Sequence, residues 1–305
     1  LDVLELWVPI TVFAAFFQNA RSALQKAIKG ELSNTGATYV RFAFGVPFAL
    51  IYLMGLVVTL DQPLPTPGRM FFIYGGLGGV AQILGTAALL YAVSFRSFAV
   101  GTAYSKTEPV QAAIFGFLLL GESIGEAAGF ALLISLAGVV VLGLARTDSL
   151  GAGWLNSLLD RGALVGLASG ALFGIAAVCY RGASLSLETD GGAFFRAGFT
   201  LAWVIVFQTL LTTVYLGLRE PGELGRVARA WRAGLKVGAC GALASAGWFT
   251  AMTMENAAYV RAVGQLELVF AVGASWLYFR ERIRPAEIVG IGAVVSGVLL
   301  IVLGD

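Results

Sequence analysis

Ten stretches of mostly apolar residues, each near the ~20 that a helix needs to cross a bilayer, constrain this chain more than anything else in it. They cover residues 6–28, 35–59, 70–93, 97–120, 126–145, 162–183, 191–217, 234–254, 257–279 and 286–303. Charged residues make up 12% of the chain and the mean hydropathy is +0.84. A soluble domain carries roughly 25% charged residues, so this chain has too few to cover a surface facing water. No stretch alternates polar and apolar residues, and each is about twice as long as a barrel strand, which excludes an outer-membrane barrel. Asp2 and Glu5 precede the first stretch with no basic residue, which is not the start of a signal peptide, so that stretch is expected to remain as a helix.

Turn chemistry separates the stretches. Residues 61–68 hold three prolines, Gly121–Glu122 closes the fourth stretch, and Pro285 opens the tenth. The longest polar interval at the centre, 148–160, reads as a linker between a first five-helix repeat at 1–147 and a second at 161–305.

The two halves match. At an offset of 159 residues Glu108 meets Glu267, Glu122 meets Glu281 and Gly138 meets Gly297. At an offset of 155, Arg41 meets Arg196 and Lys26 meets Arg181. Ionisable residues inside a span are rare and costly, so the matched Glu and Arg residues weigh more than matched alanines. Five helices is an odd number, so the second copy enters the membrane the other way up. The expected fold is therefore all-α integral membrane: ten transmembrane helices as two inverted five-helix repeats around a central cavity. Inverted repeats are a device of secondary transporters, with a site near the midplane.

The Lys106-Thr107-Glu108-Pro109 segment, followed by an apolar run and Leu120-Gly121-Glu122, resembles the EamA-type branch of the drug/metabolite transporter superfamily. The second copy departs from this pattern, with Leu268 in place of the proline and Arg280 in place of the glycine. The resemblance extends over nearly the whole chain. It implies secondary export of small metabolites, often amino acids, and within the superfamily the chain resembles amino-acid exporters of the YddG type. Sugar-phosphate or nucleotide-sugar exchange is the alternative that other branches imply. A non-transporting membrane scaffold or enzyme is the third reading.

Candidate substrate-binding residues are the polar ones at positions where lipid tolerates none. Lys106 and Glu108 lie halfway along the fourth stretch, and Gln265 and Glu267 lie at the same depth in the ninth. On a regular helix, residues two apart point about 200° apart, so Lys106 and Glu108 are not expected to face one cavity together: one could line it while the other braces a neighbouring helix. Asn19 and Arg21 mark the first stretch, where an Arg could clamp a carboxylate. Gln82, Tyr104 and Trp248 could supply an amphipathic wall. Pro109 removes a backbone donor and is the candidate hinge. Arg41 and Arg196 are expected to pair with carboxylates or helix-end carbonyls.

The chain has no His, and Cys179 and Cys240 read as free thiols in apolar segments. No catalytic residue, metal site or cofactor is expected. Gly76-x-Gly78-x-x-Ala81 mimics a dinucleotide fingerprint but follows no strand. Like Gly75/Gly79, Gly121/Gly125, Gly166/Gly170/Gly174 and Gly234/Gly238, it reads as helix packing. The implied partners are a small-molecule substrate and the lipid bilayer, with no nucleic acid.

One side of the membrane collects Lys26, Lys29, Arg96, Arg146, Arg161, Arg219, Arg226, Arg229, Arg232, Lys236, Arg280, Arg282 and Arg284, and the other only Arg69 and Arg181. The basic side is expected to be cytoplasmic, which places both termini outside a bacterial-type inner (plasma) membrane. Many members of the family are placed with cytoplasmic termini instead.

Overall fold

The structure, a computed structural model, describes residues 6–28, 32–92, 104–145, 161–270, 272 and 284–303. Among them run twelve helices: α1 (Trp7–Ile28), α2 (Asn34–Ala43), α3 (Val46–Leu60), α4 (Arg69–Ala92), α5 (Glu108–Leu120), α6 (Glu126–Ala145), α7 (Arg161–Leu185), α8 (Gly192–Arg219), α9 (Glu223–Arg229), α10 (Trp231–Met254), α11 (Ala257–Val263) and α12 (Pro285–Leu303). The described residues contain no strand.

Six segments are long and apolar enough to cross a membrane: Asn34–Leu60, which joins α2 and α3, and α4, α7, α8, α10 and α12. α5 and the 126–141 part of α6 are apolar but shorter. α1 carries Gln18, Asn19, Arg21 and Gln25 and falls outside that set. The expected fourth and ninth spans run into residues 93–103 and 273–283, which lie outside the described residues, as do the linker 148–160 and the loop cations Lys29, Arg96, Arg146, Arg280 and Arg282. Large apolar side chains point outward along the helices: Val58 is 75% exposed, Leu118 67%, Leu218 76% and Leu303 78%. Only a lipid solvent makes such a surface favourable.

The helices sort into two compact units, Leu1–Val8 with Ala81–Val178 and Glu255–Asp305, and Pro9–Val80 with Cys179–Met254. Each unit draws helices from both halves of the chain. The divisions at 80/81 and 178/179 fall within α4 and α7.

In the first unit α6 packs along α12 through glycines. A methyl on Gly138 would lie 2.7 Å from the Gly290 carbonyl oxygen and the Val294 nitrogen. A methyl on Gly297 would lie 2.8 Å from the Ala131 carbonyl and 2.9 Å from the Ser135 nitrogen. Residues 290 and 294 are the counterparts of 131 and 135 at the 159-residue offset. The contact is therefore self-complementary, and the two helices run antiparallel. Backbone approaches this close require the absence of a side chain.

In the second unit the Tyr39 hydroxyl meets the Thr213 hydroxyl at 2.9 Å, Gly45 lies against Ile205, and Leu56 and Tyr52 lie against Gly198. Residue numbers fall along α8 as they rise through α2 and α3, so this pairing is antiparallel too. α1 and α10 cross in the same sense, with Ala14 at Gly247 and Arg21 at Gly241. Gly75 lies against Trp203 and Gly79 against Phe207, as the four-residue spacing leads one to expect.

Gly121 and Gly125 depart from that expectation. Among the described residues nothing would meet a methyl on either within 4 Å. Gly121 instead adopts φ 69° and caps α5. Its N–H and that of Glu122 satisfy the Phe117 and Gly116 carbonyls. A left-handed glycine ending a helix explains the Leu-Gly-Glu motif in backbone terms.

Three of the expected spans are interrupted. Between α2 and α3 the chain turns at Phe44–Gly45, two residues before Pro47. Before α5 it turns at Lys106–Thr107, two residues before Pro109. After α11 it turns at Gly264–Gln265. A proline lacks the N–H that would continue the ladder. Tighter bonds from residue i to i−3 replace it: Gly45 to Phe42, Thr107 to Tyr104, Gln265 to Ala262 and Glu267 to Gly264. The last two breaks fall at equivalent places in the two repeats.

Candidate functional site

The breaks before α5 and after α11 lie in one unit, and they bring charges together. Lys106 Nζ forms an ion pair with Glu267 Oε1. Arg261, on α11, holds Glu108, the first residue of α5, by Nε to Oε1 at 2.5 Å and by a guanidinium N–H donated to Oε2 at 2.6 Å. Each of the two matched glutamates thus takes its cation from the other repeat. Glu108 is buried, while Lys106 and Glu267 keep 20% and 12% of their side-chain surface exposed.

Lys106 and Glu108 therefore both reach the 261–267 segment, although residues two apart on a regular helix point about 200° apart. The reason is local. Residues 106–107 form a turn and α5 begins only at Glu108, so the angular spacing of a regular helix does not apply across them.

Gln265 is the counterpart of Lys106 in the second repeat. It is 4% exposed, and among the described residues its Oε1 accepts no hydrogen bond. Pro109 is buried in the first turn of α5. Tyr104 is half-buried, and its carbonyl accepts from the Thr107 backbone N–H at 3.1 Å and from the Thr107 hydroxyl at 2.6 Å. Gln82 is half-buried in the same unit, where its carbonyl accepts from the Thr86 hydroxyl at 2.8 Å.

Asn19, Arg21 and Trp248 belong to the other unit. Asn19 and Arg21 are half-buried on α1, and Arg21 Cδ lies against Gly241. Buried Trp248 donates its indole N–H to Gln18 Oε1 at 3.0 Å, which ties α10 to α1. Three further cations of this unit have partners among the described residues. Arg181 donates to the Met252 carbonyl at 2.8 Å in the last turn of α10, where the helix end favours a cation. Arg196 donates to the carbonyl of Thr189, in the loop before α8, at 3.4 Å. Arg41 lies over the Phe42 ring at 4.4 Å.

The ten sequence candidates thus divide between two units. Seven of them, Gln82, Tyr104, Lys106, Glu108, Pro109, Gln265 and Glu267, share one unit. Arg261 belongs with them and was not singled out from the sequence. Its counterpart in the first repeat is Thr102, so matching the halves hides it. The signal it did carry was a cation inside a span, several residues from a matched glutamate.

The sequence model of the EamA-like transporter family matches residues 6–144 and 160–303, both halves of the chain. The chain belongs to the EamA-like transporter family. As an EamA-like transporter it is a multi-pass membrane protein of the drug/metabolite transporter type. The family implies a small-molecule substrate and a lipid surround, and its transporters are generally non-enzymatic. One crystal structure is similar over 96% of this chain and 95% of its own length, with a TM-score of 0.67 and 20% sequence identity, a likeness of fold. No curated protein matches the chain.

The described residues contain no group of acidic residues and cysteines able to hold a metal. Cys179 and Cys240 are free, as expected.

Proposed function

We propose that this EamA-like transporter is a secondary exporter of small metabolites, amino acids first among them, the activity of the YddG-type exporters its sequence resembles. The observation that carries the reading is the crossed pair of ion pairs, Lys106–Glu267 and Arg261–Glu108, at the helix breaks of both repeats. Charges inside a span mark substrate or ion pathways. Breaking a buried pair by removing one partner costs about 3–5 kcal/mol, so a ligand enters at low cost only if it offers both charges at once. A zwitterionic amino acid does. The four side chains sum to zero net charge, which leaves no excess cation for a phosphate dianion and argues against sugar-phosphate or nucleotide-sugar exchange.

Alternating access through a midplane cavity between two inverted repeats is the mechanism we infer. It is supported by the antiparallel contact of the equivalent helices α6 and α12 and by spans broken where the charges lie. The ten-helix plan and the repeats at 1–147 and 161–305 remain part of this proposal. So do both termini on the outer face of a bacterial-type inner membrane, for which the Lys and Arg count is the support.

The test is a counterflow screen in proteoliposomes across amino acids, sugar phosphates and nucleotide sugars. The expected result is saturable counterflow of one or more amino acids, slowed by Glu108→Gln and by Glu267→Gln. Exchange of a phosphate ester with no amino acid moving would overturn the assignment.

A further inference from the structure

The two crossed pairs are alike in charge and unlike in geometry. Arg261 donates one guanidinium N–H to Glu108 Oε2 at 2.6 Å, and its Nε lies 2.5 Å from Oε1, so the cation sits against both carboxylate oxygens. A planar guanidinium held by a charge-assisted bond is fixed in direction. Glu108 also stands in the first turn of α5, where backbone N–H groups favour an anion, and is almost wholly buried. Lys106 instead reaches a single oxygen of Glu267 from the end of a flexible stem, and both side chains keep more surface than Glu108 does. A lysine ammonium is a point charge with rotatable donors, suited to exchanging one acceptor for another. Two residues before Glu267 stands Gln265, buried, with a side-chain oxygen that has no donor among the described residues. A buried acceptor left so is costly unless something donates to it.

We propose that Lys106–Glu267 is the pair the substrate opens, and that Arg261–Glu108 stays closed as its brace. The proposal rests on the amino-acid reading above. The substrate carboxylate takes Lys106, and its ammonium takes Glu267 and donates to Gln265 Oε1. When the substrate leaves, Lys106 and Glu267 pair again. Net charge at the site is zero in both states, so neither leaves an uncompensated charge among the helices. Arg261 is a positioning residue: it fixes Glu108, and through it the start of α5 beside Lys106, without touching substrate.

The test reads selectivity as well as rate. The amino acid with the fastest wild-type counterflow is competed with its amide, which lacks the carboxylate, and with its des-amino acid, which lacks the ammonium. Lys106→Met combined with Glu267→Gln is expected to reduce discrimination against both analogues by about ten- to a hundredfold, the value of one to two charge-assisted contacts. Glu108→Gln combined with Arg261→Met is expected to leave discrimination unchanged, whatever it does to the rate. The proposal is overturned if the Lys106/Glu267 variant keeps wild-type discrimination or the Glu108/Arg261 variant loses it. Should either double variant fail to purify as a monodisperse protein, Glu267→Asp and Arg261→Lys give the same reading, with loss of discrimination expected in the first alone. Wild-type protein that moves no amino acid would overturn the export reading itself, a result distinct from a reversed pattern among variants.

Discussion

Glu223 shows how a single side chain ties this protein together away from its charged centre. It lies on the short helix α9, is fully buried, accepts the Ser33 backbone N–H at 2.7 Å and pairs with Arg226, whose Nε donates at 2.6 Å. The Ser33 hydroxyl caps α2 by accepting the Gly36 N–H and donates to Glu220 at 2.6 Å. Burial is the largest influence on the Glu223 carboxyl and pushes its pKa up. The bonds from Ser33 and Arg226, with the Arg226 charge, outweigh it and hold the pKa below the ordinary 4.5. A depressed folded-state value means this stabilisation is complete above pH 4.5 and is lost as pH falls through the folded value. Glu223→Gln is therefore expected to lower stability at neutral pH by about 1–3 kcal/mol, since it leaves a buried donor poorly met. The deficit should shrink on acidification, as read by thermal unfolding in detergent at a series of pH values. A deficit independent of pH would contradict the account. None of this was legible in the sequence, because Ser33 and Glu223 are 190 residues apart and no periodicity links them. Lys106, Glu108 and Glu267 were legible because an ionisable residue in an apolar run is conspicuous by itself.

Among the elements, the all-helical class was the readable part and the breaks were only half readable. Pro47 and Pro109 announce two of them by the donor they lack. The break at Gly264–Gln265 has Leu268 where the first repeat has Pro109, so no residue type announces it. The angular spacing of a regular helix does not carry across such a break, so Lys106 and Glu108 both reach the 261–267 segment. The glycine spacings were sound where the partner backbone is near and misleading at Gly121, which is a helix cap. Helix packing supplies a sharp test. Gly138→Ala and Gly297→Ala each drive a methyl into backbone at 2.7–2.9 Å, where no side chain can swing away. Each should cost about 1–3 kcal/mol of stability, and because the two sites are equivalent across the α6–α12 contact the two losses should be similar. Thermal unfolding of the two variants measures this, and a substitution that proved neutral at either site would show that the helices are not held at this distance.

At the scale of the whole molecule, the compact units are not the sequence repeats. Each unit combines segments of both halves, and its antiparallel contacts join helices from opposite halves, as α6 joins α12 and α8 joins α2 and α3. Duplication is legible in a sequence because it leaves matched residues. Which helices then pack together is decided by tertiary contacts that leave no such mark. The proposed orientation rests on the basic loops, and under it a reporter fused to the C-terminus should give an extracytoplasmic signal; a cytoplasmic one would refute the orientation. The central claim is that broken spans carrying self-neutralised charges move a zwitterion across the bilayer. The most direct measurement is the time course of a labelled amino acid entering proteoliposomes preloaded with the same amino acid, against protein-free vesicles. The account predicts transient accumulation above the external level that requires the protein, saturates with substrate and needs no ATP. Uptake no greater than in empty vesicles, for every amino acid tried with folded and reconstituted protein, would contradict it.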